Sequence, residues 1–316
     1  MRPVIRLALR DWDYLTPILL GEVTSDRYDI RVTPVGTLLP TVDGNPDYEG
    51  AELSFSRYVR DHAAGTARDH GVPYFLMRGF RHRCILTRKS HGADTVADLR
   101  GRAIGVTGWP DSGNTWTRAI LRREGIGVEN ARWYAGRLTE SHPVVDRLSG
   151  FGRPGVIEAA PDERPLMDLL NEGFLDAVFT PFLPPGFFDA SSPFRHLTPD
   201  FKTAELAYYQ QVRYVPGMHI LGLRSDVVAR YDDVEDEVCA LLDRSKAMWS
   251  AKRVKYADTT PWLLNDFATI ARAFDPDWDA AGLDANTSMI NDFCDELKAQ
   301  AIIGDVPSVA TLFAGT

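Results

Sequence analysis

The sequence is poor in cysteine. Cys84, Cys239 and Cys294 are odd in number, far apart and without any CxxC pair. This excludes a disulfide framework or a structural zinc site as the source of stability. Positive charge is also short, with 35 Lys and Arg against 44 Asp and Glu and a net charge of −9. Such a balance argues against a general nucleic-acid binder or a binder of anionic membranes, while leaving room for a local basic pocket. Long hydrophobic runs are missing. Residues 4–9 are too few for a secretory core and run straight into Arg10-Asp11-Trp12-Asp13. No stretch approaches the ~20 apolar residues of a membrane span. The expected location is therefore the cytoplasm. HxH, HExxH, CxxC and GxSxG are all absent, so no local motif names a metal or a serine nucleophile.

What is present is an ordinary globular composition, 44% hydrophobic and 25% charged over 316 residues. That length suits two domains and a core large enough to fold unaided. Strand-like runs occupy residues 4–9, 28–35, 51–55, 74–77, 84–87, 103–106, 176–180 and 219–223. Helical periodicity occupies 56–64, 115–124 and 166–172, and prolines punctuate 181–193. From residue 234 onward the pattern is helical, with Leu263, Phe267, Ile270 and Phe274 on one face. Alternating strands and helices followed by a helical tail predict an α/β chain. Its first lobe would be left near residues 88–101 and regained through 185–218, framing a ligand cleft.

Four segments carry candidate chemistry. Arg78-Gly79-Phe80-Arg81-His82-Arg83 gathers three guanidiniums and an imidazole. It reads as a carboxylate clamp or as a solvated basic loop. Residues 105–115 join a strand to a helix, so Ser112, Asn114 and Thr115 either help bind an anion or cap the helix. Asp11, with Trp12 and Asp13, follows the first strand and either faces a ligand or caps the next helix. Glu52-Leu53-Ser54-Phe55-Ser56-Arg57 offers hydroxyls for a carboxylate or phenol, or a plain helix cap. His219 opens an apolar strand after Pro216-Gly217-Met218, as a structural or a catalytic imidazole.

On these residues the chain resembles the 4,5-dihydroxyphthalate decarboxylases, which are similar to type 2 periplasmic binding proteins converted to enzymes. Arg10-Asp11-Trp12-Asp13 matches the family's Gly-Asp-Tyr-Asp, and Leu53-Ser54-Phe55-Ser56-Arg57-Tyr58 its Met-Ser-Leu-Ser-Ser-Tyr. Arg78-Gly79-Phe80-Arg81-His82 matches its Arg-x-Phe-Arg-His, the most specific of the set. Weaker support comes from residues 98–106, from Pro199-Asp200 to Tyr208-Tyr209, from Met218-His219, and from Pro261-Trp262 to Asn286. The chain departs from the family in a shortened segment at 36–50 and in the loop at 109–114. Arg57 and Arg83 stand where the family has serines.

The resemblance implies a two-lobed type 2 periplasmic-binding-protein-like fold with a central cleft and a helical C-terminal tail. Lobe I would comprise residues 1–100 and 215–316, and lobe II residues 101–214. It implies decarboxylation of a hydroxylated aromatic acid by ring protonation and loss of carbon dioxide. No visible motif requires a cofactor, though a divalent metal is compatible with the reading. We expect His82 or His219 as acid/base, with Asp11 orienting a histidine or deprotonating a phenol. Arg81, with Arg78 or Arg83, would clamp carboxylate. Trp12, Ser54, Ser56, Arg57, Ser112, Asn114 and Thr115 would complete the substrate contacts. The expected partners are a small aromatic carboxylate and further copies of the chain, forming a homo-oligomer. The rival readings are a solute-binding protein of the same fold and another cytoplasmic enzyme of that fold, such as a menaquinone-pathway lyase.

Overall fold

A computed structural model describes residues 2–314. Among these residues the strands are β1 (Val4–Arg10), β2 (Asp29–Val35), β3 (Gly50–Ser54), β4 (His70–Arg78), β5 (Ile85–Arg88), β6 (Ala103–Val106), β7 (Arg132–Ala135), β8 (Ile157–Ala159), β9 (Ala177–Phe179), β10 (Phe194–His196) and β11 (Gly217–Leu223). The chain divides into two compact units. Unit 1 takes residues 1–78, 217–290 and 307–316, and unit 2 takes 79–216 and 291–306.

Unit 1 is built on a sheet ordered β2-β1-β3-β11-β4. Parallel pairing joins β1 to β2 and β3, and β11 runs antiparallel to both β3 and β4. In β1 the alternation of Ile5, Leu7 and Leu9 supplies fully buried side chains to the core, where they meet Leu221, Leu223, Val234, Val238 and Leu242. Each such side chain contributes about 1.5–3 kcal/mol by leaving water. Strand β4 extends beyond the apolar run legible at 74–77, because it lies at a sheet edge. There Pro73 removes no needed ladder donor.

The helix Phe55–Ala63 lies in the same unit and buries Phe55, Tyr58 and Val59 at helical spacing. Tyr58 is pinned, its hydroxyl donating to the Leu312 carbonyl. A methyl group on Gly71 would sit 2.3 Å from the Tyr58 ring and hydroxyl. Gly71→Ala should therefore destabilise unit 1 by about 1–3 kcal/mol, the usual range for overpacking. A urea midpoint equal to that of the wild type would show that Tyr58 has another resting place.

Unit 2 carries the sheet β10-β5-β9-β6-β7-β8. Strands β9, β6, β7 and β8 pair in parallel, and β5 and β10 are antiparallel additions. All four residues of β6 are buried, as expected for a strand covered on both faces. Gly105 is required there, since a Cβ would stand 2.8 Å from Leu175. The helix Leu166–Glu172 stops at Gly173, which takes the left-handed conformation at φ 91°.

The unit boundary differs from the expected one. Strand β5 pairs with β9 and β10, so residues from Gly79 onward belong to unit 2 rather than to a first lobe ending at 100. The return falls at Gly217, where β11 enters the first sheet. The tail is also divided, because residues 291–306 group with unit 2.

Candidate functional site

In unit 1 the chemistry centres on Glu52, in the middle of β3. Its side chain is fully buried, which is costly for a carboxylate unless donors surround it. Three do. Oε2 accepts from the Arg10 backbone amide at 2.9 Å and from Trp12 Nε1 at 2.8 Å. Oε1 lies 2.6 Å from Nδ1 of His219. The sheet register explains this meeting. His219 stands opposite Ser54, two residues from Glu52, and alternate residues of a strand share a face. In the tautomer with the ring proton on Nδ1, that N–H donates to Glu52 and Nε2 is the other ring nitrogen. The His219 side chain keeps 16% of its surface open.

The structure corrects one role here. The carboxylate that orients His219 is Glu52, not Asp11, whose side chain is exposed. Asp11 lies beyond the end of β1, whereas Glu52 is held inside the sheet beside β11. The signal was present in the sequence, as an acid enclosed by Ala51 and Leu53 in an apolar strand. Trp12 meets this cluster through its indole N–H. Ser54 is the helix cap, accepting from the Arg57 amide, and Ser56 is buried. Arg57 is exposed and donates to the Leu39 carbonyl at 3.3 Å. Arg78 is held within unit 1. It donates to Asn286 Oδ1 and to the Ala280 carbonyl and stacks on Phe75, so it ties the chain around 280–286 to β4. Burial pushes its guanidinium down to about 10.

Unit 2 holds the second cluster. Arg81 is buried against the helix Ser112–Arg123, with Nε 3.4 Å from Thr117 Oγ1. Its guanidinium lies over the first turn, where a Cβ on Gly113 would come within 2.7 Å of it. Desolvation lowers the Arg81 pKa, yet guanidinium remains a cation throughout the working pH range. Asp111 occupies the N-cap without a side-chain bond to the first amides. Helix-start amides and a buried cation thus adjoin, and both favour an anion.

The side chains of this turn serve the fold. Asn114 Nδ2 donates to the Gly108 carbonyl at 2.8 Å, and Thr115 Oγ1 accepts from buried Arg118 at 3.4 Å. Ser112 is buried. Asn114 Nδ2 and Thr115 Oγ1 are thus engaged by the loop and by Arg118, while buried Asn114 Oδ1 has no hydrogen-bond partner among the described residues.

His82 is buried edge-on to Tyr208, 5.6 Å between ring centres, and its Nδ1 has no hydrogen-bond partner among the described residues. Burial drives its pKa down to about 4. It is neutral at pH 7 and has no carboxylate partner among the described residues, whereas His219 is hydrogen-bonded to one. Arg83 is exposed. Its backbone amide donates to Glu205 Oε1 at 3.3 Å, and burial raises the Glu205 carboxyl. Among the described residues no three His, Cys, Asp or Glu side chains form a metal-holding group. None of the described helices is long and apolar enough to cross a membrane.

No family profile matches the chain. It is 27% identical over 324 residues to a 4,5-dihydroxyphthalate decarboxylase of Comamonas testosteroni, covering 98% of this chain and 96% of that one. It is 29% identical over 213 residues to a 4,5-dihydroxyphthalate decarboxylase of Pseudomonas putida, covering 66% and 83%. Among solved structures, the periplasmic aliphatic sulphonate binding protein SsuA of Escherichia coli matches with TM-score 0.56 at 11% identity. That alignment covers 98% of this chain and 92% of SsuA, and carries the fold alone. With its two mixed sheets, the chain has the α/β periplasmic-binding-protein fold, and over nearly its whole length it is similar to a 4,5-dihydroxyphthalate decarboxylase.

Proposed function

We propose that this protein is a carboxy-lyase that removes carbon dioxide from a hydroxylated aromatic acid of the 4,5-dihydroxyphthalate class. The carrying observation is the buried Glu52 carboxylate hydrogen-bonded to His219 Nδ1, a fixed acid/base pair. The similar decarboxylases supply the substrate class.

In 4,5-dihydroxyphthalate each carboxylate has a hydroxyl para to it. Loss of that phenol's proton to solvent water, regained by the product phenolate at the end, feeds electrons into the ring and makes the carboxyl-bearing carbon basic. Transfer of a proton from His219 Nε2 to this carbon gives a dearomatised intermediate. The bond to the carboxylate then breaks, its electron pair restores the aromatic ring, and carbon dioxide leaves. Glu52 stabilises the imidazolium that donates the proton and holds the ring in one tautomer. The second carboxylate stays on the product, 3,4-dihydroxybenzoate.

This reading uses no organic cofactor. Its proposed setting is the cytoplasm, which suits three free cysteines. The working form is proposed to be a homo-oligomer.

The test is incubation with 4,5-dihydroxyphthalate and a panel of hydroxybenzoates, followed by product mass spectrometry with and without chelator. Loss of one carbon dioxide, giving 3,4-dihydroxybenzoate from the phthalate, is expected. Tight binding of the acids without turnover would overturn the proposal in favour of a solute-binding role. The chelator arm reads any dependence on a divalent metal.

A further inference from the structure

Residues 246–282 of unit 1 carry apolar side chains that the single chain leaves open. The helix Val234–Lys255 buries Val234, Val238, Leu241, Leu242 and Ser245, and its last turns stand out in solvent. Beyond it Tyr256 is 61% exposed, Trp262 75% and Leu264 56%. The following helix, Leu263–Ala273, repeats apolar residues at 263, 267, 270 and 274, a straight stripe along one face. Leu263 is buried, but Phe267 and Phe274 are half-buried and Ile270 is exposed. From Tyr256 to Phe274 the charged residues are Asp258, Asp266 and Arg272, three in nineteen positions. An exposed segment this apolar and this poor in charge is the composition of an interface core.

We propose that this segment is a self-association surface, and that its occupant is the same segment of a second copy of the chain. The charges flanking it identify the partner. Lys252, Arg253 and Lys255 precede the stripe, and Asp275, Asp277 and Asp279 follow it. In a two-fold contact each patch meets itself in reverse. The basic end of one copy thus meets the acidic end of the other, twice. A chain of net charge −9 repels its own copies at long range, and this local pairing supplies the opposing attraction. Lys252 already pairs with Glu22 of its own chain, an exposed pair that exchanges at little expense; Arg253 pairs with Asp13 and stacks on Trp249, so Lys252 and Lys255 are the more available cations.

Sedimentation velocity at tens of micromolar tests the proposal without any assay of turnover, so its outcome is independent of the decarboxylase reading. The wild type should sediment at twice the 35.2 kDa of one chain or an even multiple of it. Ile270→Glu and, separately, Leu264→Glu should each halve that mass while leaving the far-ultraviolet circular dichroism unchanged. High salt should weaken the association. A wild type that sediments as a single chain would overturn the proposal. So would a folded Ile270→Glu or Leu264→Glu protein of wild-type mass, since the copies would then meet elsewhere.

Discussion

Replacing His219 by asparagine is expected to lower kcat by about 10²- to 10⁴-fold, the usual worth of a positioned acid/base group. Asparagine still offers a donor to Glu52, so the sheet should stay intact while the titrating ring is lost. Glu52→Gln should fall in the same range for a different reason. The amide retains one oxygen for the Arg10 and Trp12 donors but no longer carries the charge that stabilises an imidazolium. It can also present its NH₂ to Nδ1, forcing the ring proton onto Nε2. The two losses should not add in the double variant, because both remove one device. Steady-state kinetics on the two single variants and the double variant check this. Turnover near the wild-type rate in His219→Asn would remove His219 from the mechanism, and additive losses would separate Glu52 from it.

The second large effect lies in unit 2 and is read as stability. In the unfolded chain His82 titrates near 6.5, and in the folded protein burial holds it at about 4. Between those values the unfolded state binds more protons, so acidification favours unfolding. The penalty is absent above pH 6.5 or so, grows as the pH falls, and is complete below about 4. Its full size is about 3 kcal/mol, from 1.36 kcal/mol for each unit of difference. His82→Phe keeps an aromatic ring beside Tyr208 and removes the titration. Urea unfolding at pH 7 and pH 4.5 should show the wild type losing about 2–3 kcal/mol more than this variant. Equal losses would mean that His82 is hydrated in the folded protein. The same burial keeps the imidazole of the Arg78-Gly79-Phe80-Arg81-His82 run neutral at pH 7, while His219, on β11, is bonded to Glu52.

Much of the architecture was legible in the chain. The apolar runs at 103–106 and 219–223 and the helix ending at Gly173 read directly from local pattern, and their bounds in the structure differ little. Strands β7, β8 and β10 did not. They are three or four residues long and bring charged side chains with them, so their identity as strands comes from partners distant in the sequence. The unit boundary was misplaced for the same reason. Nothing local to residues 85–88 says which sheet they join, and only pairing with β9 and β10 decides it.

The candidate site divides along the same line. By itself the sequence determined the kind of chemistry available: arginines for carboxylates, histidines for protons, few cysteines, and a net charge of −9. Those are properties of side chains, and they travel with the residues. Tertiary structure decided which of them meet and which are buried. Sheet register placed Glu52 beside His219 and left Asp11 outside. Desolvation took His82 out of the working pH range, and packing turned Arg78 into a tie to Asn286 while laying Arg81 along a helix start. Pairing, burial and electrostatic environment depend on neighbours far away in the chain, so the fold had to supply them.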